Sequence, residues 1–203
     1  LGAKDWQPSA YSPVTGLFYV PTEDLCDNIE PLKALYIAGT PFMGADIAIY
    51  PGPSGHLGRL IAWDAASGKV AWGVDEPLPV YAGVLATAGG VVFYGTLDKT
   101  FKAVDASTGK VLFQTTLECG VVGNPISYSI NGQQYVSVFA GIGGWSGLPV
   151  TAGLNFSDKF GAIGATAMAK STNLNLVPQG GTLYTFRLGG PQHQAVADTD
   201  TAK

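Results

Sequence analysis

The feature that most constrains the fold is a short stretch that occurs twice. Residues 60–72 read LIAWDAASGKVAW and residues 101–113 read FKAVDASTGKVLF, which places their Asp residues 41 positions apart. Each copy is an apolar strand, an Asp, a Ser/Thr-Gly-Lys turn and a second apolar strand that ends in an aromatic residue. The Asp can accept hydrogen bonds from turn N–H groups, and the Gly permits a positive φ. The stretch therefore predicts a repeated β-hairpin whose closing aromatics, Trp72 and Phe113, pack between neighbouring units.

The spacing of this repeat predicts a β-propeller, in which blades of about four strands recur every ~40–50 residues. Strand–turn–strand pairs at 9–22, 83–96 and 124–141 extend the likeness upstream of each hairpin, so the chain contains about three units. Three blades do not close a ring. We therefore expect an all-β arc of a larger propeller over residues 1–188, followed by a polar, disordered tail at 189–203.

Two insertions interrupt the regular units. The first unit carries a Pro/Gly-rich insertion between its second and third strands, at residues 23–58, and the third unit carries one at about 146–180. A short helix is expected in the later insertion, because Ser157 can cap the Ala-rich run SDKFGAIGATAMAKS.

Composition narrows the class of protein and its partners. Of the 203 residues, 46% are hydrophobic and 13% are charged, which excludes a disordered chain, and the formal net charge of -4 argues against nucleic acid as a partner. No apolar run reaches the ~20 residues that a membrane-spanning helix needs. The chain does not begin with Met, so we expect that a leader was removed or that the chain is a piece of a longer protein.

Two further motifs imitate binding sites. TEDLCDNIE brings Glu23, Asp24, Asp27 and Glu30 together, but it lacks the order of a calcium-binding loop, so a solvated acidic loop is expected. GIGGWS, at 141–146, imitates a dinucleotide fingerprint, but the following GLPVTAG cannot begin the helix that such a site requires.

The histidines and cysteines form no recognisable site in the sequence. His56 and His193 stand alone, one in a Gly/Pro-rich loop and one in the tail, so both are expected to be exposed to solvent. Cys26 and Cys119 lie far apart and have no zinc-site spacing, which leaves an intramolecular disulfide open.

Several long motifs together resemble one family. The DAxTGK repeat, TAGGVVFYGTLD, GNPISYSINGQQYVSVFAGIGGW and KDWQPSAYSPVTGLFYVPT resemble the C-terminal part of the pyrroloquinoline quinone (PQQ)-dependent methanol dehydrogenases, in the family's order. KDWQPSA is most similar to the lanthanide-dependent branch. The resemblance implies an eight-bladed propeller that holds PQQ on its axis, beside a Ca²⁺ or lanthanide ion. It also implies a periplasmic enzyme that oxidises a primary alcohol and passes electrons to a c-type cytochrome. A homodimer is the assembly that the resemblance suggests.

The resemblance also implies four cofactor-binding residues. Asp5 falls where the family has an Asn or Asp that contacts the quinone ring system. Trp145, with Gly144 beside it, falls on a Trp near the edge of PQQ. Tyr81 replaces a Trp that is usual in the family, and its aromatic face and hydroxyl are expected to contact the cofactor. Trp6 is expected to be a packing residue.

At three further positions, the residue in this sequence can be compared with the one that the family commonly has. Phe113 and Cys119 stand where the family commonly has a Trp and a small polar residue. Cys26 resembles a family cysteine that bonds to another just upstream of the position equivalent to Leu1.

The resemblance implies that the decisive chemistry lies outside this segment. The metal ligands and the catalytic base of the family lie N-terminal to it, so no residue here is expected to be catalytic, and the N-terminal blades of the same enzyme are the expected partner. The competing hypothesis is a non-catalytic, propeller-type binding or scaffold module, which would not need Trp145 and Asp5 near the axis.

Overall fold

The computed structural model describes residues 3–31, 33, 45–143 and 181–189, and every regular element within them is a β-strand. In chain order these are β1 (Ala10–Ser12), β2 (Leu17–Glu23), β3 (Leu25–Pro31), β4 (Ala45–Pro51), β5 (Gly58–Asp64), β6 (Lys69–Glu76), β7 (Leu85–Ala86), β8 (Val91–Gly95), β9 (Thr100–Asp105), β10 (Val111–Thr116), β11 (Ile126–Ile130), β12 (Gln133–Ala140) and β13 (Thr182–Arg187). The expected helix and polar tail lie outside the described residues.

The strands form three antiparallel sheets that succeed one another along the chain. The first blade has the order β1-β2-β5-β6, the second β10-β9-β8-β7, and the third β11-β12-β13. The insertion between β2 and β5 contains a separate hairpin, β3–β4. The prediction of an all-β chain of about three propeller blades is therefore confirmed.

The repeated Asp residues stabilise the turns that close the outer hairpins. Asp64 Oδ1 accepts the N–H of Ala66 at 2.9 Å, and Asp105 Oδ1 accepts the N–H of Thr108 at 2.9 Å. Gly68 and Gly109 follow in the left-handed region, at φ 67° and 73°, as the turn chemistry predicts. Hydrogen bonds from the side chains of Ser67 and Thr108 lower the pKa of Asp64 and of Asp105 respectively.

Replacing Asp105 with Ala is expected to destabilise the protein at neutral pH but not in acid. Because the pKa of Asp105 is lowered by folding, its contribution is present above the unfolded Asp pKa of ~3.9 and is lost as the pH falls through the lower folded value. Urea denaturation midpoints at pH 7 and below pH ~3 test this. Asp105→Asn is the control, since an amide oxygen can accept the same turn N–H groups. An equal loss for Asp105→Ala at both pH values would contradict the prediction.

The first and second blades join through aromatic rings and one carbonyl group. The Tyr19 hydroxyl and the Trp72 indole N–H both donate to the Ala106 carbonyl oxygen, at 3.0 and 3.1 Å. The Tyr19 and Trp72 rings lie 5.7 Å apart. Around them is a buried cluster from both blades, which includes Leu60, Ala62, Val80, Val92, Tyr94 and Val104. Trp72 therefore packs between blades, as the sequence predicts.

The second and third blades join through a second apolar cluster. Phe101 is 1% exposed and stacks on Phe93 and Phe186, with ring centroids 6.1 and 5.2 Å apart. Phe113 meets Phe186 edge-on at 6.0 Å. The free thiol of Cys119 is buried in the same cluster, so both departures from the family pattern fit apolar surroundings. Phe113, like Trp72, contacts the next blade as predicted.

The outer faces of the arc are apolar and exposed. On the first blade, Tyr11 and Phe18 form a cross-strand ring pair at 4.7 Å and are 51% and 39% exposed. On the third blade the exposed apolar side chains are Ile126, Tyr128, Ile130, Phe139 and Leu183. Side chains on the opposite face of each sheet, such as Tyr19 and Val138, are buried between blades. Each end of the arc thus presents an apolar sheet face without a neighbouring blade in the described structure.

Within the described ranges, no helix is long and apolar enough to cross a lipid bilayer.

Candidate functional site

The segments that lead into the first strand of each blade meet at one side of the arc. The Val84 N–H donates to the Pro8 carbonyl at 3.1 Å, and the Gly83 N–H donates to Asn124 Oδ1 at 3.0 Å. Close packing requires Gly at position 83, because a Cβ there would overlap the Asn124 side chain and lie 3.0 Å from Pro8 Cδ. These contacts join segments from all three blades, so side chains carried by the segments converge although they are distant in sequence.

At this convergence lies a buried polar group that we call the Tyr81 cluster, formed by Gln7, Glu23 and Tyr81. Their exposed fractions are 0%, 4% and 2%. Gln7 Nε2 donates to Glu23 Oε1 at 3.3 Å and to the Val80 carbonyl at 3.2 Å. The Glu23 charge also acts on the Tyr81 phenol, so these two side chains lie close together. Gln7 therefore links the carboxylate at the end of β2 to the segment that precedes β7.

Burial controls the protonation of this cluster. Burial raises the pKa of Glu23, with the charge of Asp5 acting in the same direction, while the hydrogen bond from Gln7 opposes the rise. Burial also raises the pKa of Tyr81, and the Glu23 and Asp5 carboxylates add to that effect. The phenol therefore stays protonated and acts as a hydrogen-bond donor at any pH near neutral.

The structure brings two of the four predicted cofactor residues, Asp5 and Tyr81, into this one region. Asp5 is exposed, and its backbone N–H donates to Gln7 Oε1 at 3.2 Å. Tyr81 is buried beneath Trp6, whose ring stacks on it with centroids 5.4 Å apart and planes 23° apart. Gly144 and Trp145, the other two, lie outside the described residues.

The exposed part of this region fits a planar cofactor. Trp6 remains 43% exposed while it stacks on Tyr81, and the exposed Asp5 adjoins it in the chain. An exposed indole can stack on a flat ring system, and the Asp5 carboxylate can accept a hydrogen bond from a ring N–H. Tyr81, which was expected to contact the cofactor, is thus buried beneath Trp6, which was expected to be a packing residue and instead has the accessible ring.

Sequence reasoning missed the role of Glu23. The expectation of a solvated acidic loop is wrong for this residue, because the carboxylate is buried and hydrogen-bonded, whereas Asp27 and Glu30 on β3 are exposed as expected. The signal available in the sequence is the position of Glu23 at the end of a strand. Alternation along LFYVPTE puts Tyr19, Pro21 and Glu23 on the buried face.

The expectation that His56 is an exposed bystander is also wrong. Its side chain is 15% exposed and lies between two carboxylates, with Nε2 3.2 Å from Asp75 Oδ1 and Nδ1 3.7 Å from Asp24 Oδ2. Asp75 also pairs with Arg59 at 2.9 Å. Only the fold reveals this group, because it joins the insertion to β6. His193 lies outside the described residues.

A second buried carboxylate has a structural environment. Glu76 is 1% exposed, and Lys102 Nζ lies 2.7 and 2.8 Å from its two oxygens. The Tyr94 hydroxyl donates to Glu76 Oε1 at 2.6 Å, and burial together with the Glu76 charge raises the pKa of Tyr94. This network joins β6 of the first blade to β8 and β9 of the second.

No metal-binding group is visible in the part of the chain that the structure describes. There, no three His, Cys, Asp or Glu side chains lie close enough together to bind an ion. The thiols of Cys26, which is half-buried, and Cys119 are both free.

Comparisons with known proteins agree with this architecture. Residues 75–136 match the family described as "PQQ: Glucose/ethanol/alcohol dehydrogenase, beta-propeller domain". The chain is 46% identical, over 93% of its length, to a "Lanthanide-dependent methanol dehydrogenase" of Methylacidiphilum fumariolicum, and it covers 32% of that protein. It is 37% identical to "Methanol dehydrogenase [cytochrome c] subunit 1" of Methylobacterium organophilum, over 93% of this chain and 32% of that protein.

A solved structure shows the same fold. The chain superposes on the "Europium-containing methanol dehydrogenase" with a TM-score of 0.84 and 46% identity, covering 92% of this chain and 33% of that one. The chain thus spans about a third of the length of the relatives that it matches. The resemblance drawn from the sequence is confirmed: over more than nine-tenths of its length this chain is similar to a β-propeller part of the PQQ-dependent methanol and alcohol dehydrogenases.

Proposed function

We propose that the chain is the C-terminal segment of a periplasmic, PQQ-dependent alcohol dehydrogenase that oxidises a primary alcohol, such as methanol, to the aldehyde. The observation that carries this proposal is the match to the europium-containing methanol dehydrogenase, at 46% identity and a TM-score of 0.84 over 92% of the chain. The match covers nearly the whole chain, and so it supports the same fold for these blades.

In this proposal the chain supplies one wall of a cofactor pocket. Asp5 and Trp6 face the cofactor, while Tyr81 holds the Trp6 ring from behind. Gly144 and Trp145 complete the wall, on the resemblance to the family. PQQ, when bound, supplies the two-electron redox chemistry that amino acid side chains lack. The protein's contribution here is to orient that ring and to exclude water from its edge.

The metal and the remaining catalytic groups belong to other blades in this proposal. A Ca²⁺ ion takes ~6–8 oxygen ligands, and the described side chains do not assemble such a set. One of the similar proteins is a lanthanide-dependent enzyme, and the name of another includes cytochrome c. We therefore infer a Ca²⁺ or lanthanide ion held by N-terminal residues, and a c-type cytochrome as the electron acceptor.

The two open blade faces support this arrangement. Tyr11 and Phe18 at one end, and Ile126, Phe139 and Leu183 at the other, are exposed apolar side chains on regular sheets. N-terminal blades of the same protein would cover both faces and close the ring. This accounts for side chains that a free-standing scaffold module would expose to solvent.

Reconstitution tests the proposed function. The full-length protein that contains this chain is loaded with PQQ together with either La³⁺ or Ca²⁺. It is then assayed with primary alcohols and a c-type cytochrome. Turnover that requires both PQQ and a metal ion is the expected result, and the 203-residue chain alone should show none. A full-length protein that neither shifts the absorbance of added quinone nor oxidises any primary alcohol would favour the scaffold alternative.

A further inference from the structure

We propose that Gln7 is a positioning residue: its buried side-chain amide holds the backbone at Asp5 and so sets where the Asp5 carboxylate and the Trp6 ring meet the cofactor. The link from Asp5 and Trp6 to the cofactor rests on the proposed function. The link from Gln7 to the Asp5 backbone rests on hydrogen-bond geometry alone.

The side-chain amide of Gln7 is buried and engaged at both of its ends. The residue is 0% exposed. Its Oε1 accepts the N–H of Asp5 at 3.2 Å, while its Nε2 donates to Glu23 Oε1 at 3.3 Å and to the Val80 carbonyl at 3.2 Å. One planar group therefore joins its own segment to the end of β2 and to the segment that precedes β7.

The neighbours of this group call for an amide at position 7. Glu23 Oε1 and the Val80 carbonyl are acceptors, whereas the Asp5 N–H is a donor. A glutamine amide offers two N–H donors and an acceptor oxygen, whereas an ionised glutamate offers acceptors only. The reversed amide would set its oxygen against two acceptors, so the same neighbours also decide which way the amide points.

The chain around Gln7 is held at two points, and the amide acts between them. The Ala3 carbonyl accepts the N–H of Glu23 at 2.9 Å, and the Pro8 carbonyl accepts the N–H of Val84 at 3.1 Å. The residues between these two carbonyls belong to no strand. Their course therefore depends on the bond to the Gln7 side chain, because no ladder of strand hydrogen bonds defines it.

This part of the chain carries the exposed groups of the site. Asp5 is exposed, and Trp6 is 43% exposed while its ring stacks on Tyr81 with centroids 5.4 Å apart. Lys4 Nζ donates to the Asp5 and Gln7 carbonyls, at 3.0 and 2.6 Å, which links the backbone on the two sides of Trp6. Releasing the Asp5 N–H from Gln7 should therefore displace both the carboxylate and the indole.

Packing alone does not account for an amide at this position. Burying a polar group costs free energy, and an apolar side chain of similar volume usually avoids that cost. What the amide adds is direction, because its donors and its acceptor each fix one neighbouring segment. We therefore expect its loss to change the geometry of the site as well as the stability of the fold.

The matched control is a second glutamine that lies on the third blade. Gln133 Nε2 donates to the carbonyls of Gln134 and Leu188, at 3.2 and 2.7 Å. Gln133→Met removes two amide hydrogen bonds to backbone carbonyls, as Gln7→Met removes the bond to Val80 and two others, but it leaves the segment with Asp5 untouched. Met keeps nearly the length and volume of Gln in both variants.

The first test measures hydrogen exchange in the apo form of the full-length protein, by mass spectrometry of a peptide that contains Asp5. Gln7→Met is expected to speed exchange at the Asp5 amide about tenfold, the effect of about one lost hydrogen bond. Gln133→Met should leave this peptide unchanged. Unchanged exchange at Asp5 in Gln7→Met would overturn the proposal.

The second test measures PQQ binding to the same proteins by equilibrium titration, in the presence of La³⁺. Gln7→Met is expected to weaken the dissociation constant about tenfold, and Gln133→Met to leave it unchanged. Equal weakening by both variants would show that Gln7 acts only through stability, and would overturn the positioning role. An unsubstituted protein that binds no PQQ would contradict the proposed function instead, and the exchange result would still decide whether Gln7 holds the Asp5 backbone.

An exchange of the two side chains provides a rescue that a purely structural role would not predict. Gln7→Glu removes both donors and faces the Glu23 carboxylate with a second one, so it should weaken PQQ binding at least as much as Gln7→Met. Adding Glu23→Gln restores a donor–acceptor pair between positions 7 and 23 with its direction reversed, and position 7 can still accept the Asp5 N–H. The double variant should therefore bind PQQ more tightly than Gln7→Glu, and failure to do so would contradict the proposal. If Gln7→Glu does not fold, the double variant is compared with Gln7→Met.

Discussion

Replacing Lys102 with Met is expected to destabilise the protein by about 3–5 kcal/mol, because it leaves the Glu76 carboxylate buried without its cation. Glu76 is 1% exposed, both of its oxygens lie within 2.8 Å of Lys102 Nζ, and the Tyr94 hydroxyl donates to Oε1 at 2.6 Å. The Met side chain fills the lysine volume but cannot donate a hydrogen bond. Urea denaturation of the full-length protein measures the loss.

Two further variants separate charge burial from simple loss of packing. Combining Lys102→Met with Glu76→Gln should recover part of the stability, since a neutral amide costs less to bury than a charge. Arg59→Met breaks an exposed pair, with side-chain exposures of 41% for Arg59 and 58% for Asp75, and should cost no more than ~1 kcal/mol. If Lys102→Met costs no more than Arg59→Met, the network of Glu76 does not hold the two blades together.

Replacing Phe101 with Ala is expected to lower the free energy of unfolding by about 3–5 kcal/mol, because it opens a cavity between the second and third blades. The ring is 1% exposed and stacks on Phe93 from its own blade and on Phe186 from the next. Its loss should also increase hydrogen exchange in β13, the strand that carries Phe186, more than in β8.

Leu112→Ala is the matched control for Phe101→Ala, because this residue on the adjacent β10 is 54% exposed. The free energy of unfolding of Leu112→Ala should lie within ~0.5 kcal/mol of that of the unsubstituted protein. Equal losses at the two positions, or unchanged exchange in β13, would show that the blades are not joined through the Phe101 ring.

The sequence predicts the parts of this fold that depend on local chemistry. DAASGK and DASTGK each contain the acceptor, the turn residues and the Gly that their hairpin needs, and their spacing repeats the unit. The contacts of Trp72 and Phe113 with the next blade follow from the same repeat, since equivalent positions in stacked units meet equivalent surroundings.

The candidate site was less predictable, because its partners come from separate segments. Glu23 is buried because Gln7, which precedes β1, and Tyr81, which follows the whole first blade, both lie against it. His56 lies between Asp24 and Asp75 for a similar reason. Asp5 and Tyr81 could be placed together in advance only through the family resemblance, which supplied a geometry that local patterns do not contain.

The Ala106 carbonyl has a mechanical consequence for the arc. Because it accepts both the Tyr19 hydroxyl and the Trp72 indole, its two lone pairs are engaged at once by different strands of the preceding sheet. Sliding one sheet past the other along the strands would strain these bonds. Shear between the two sheets should therefore be stiff, and under load we expect them to part by a single abrupt separation rather than by gradual slippage.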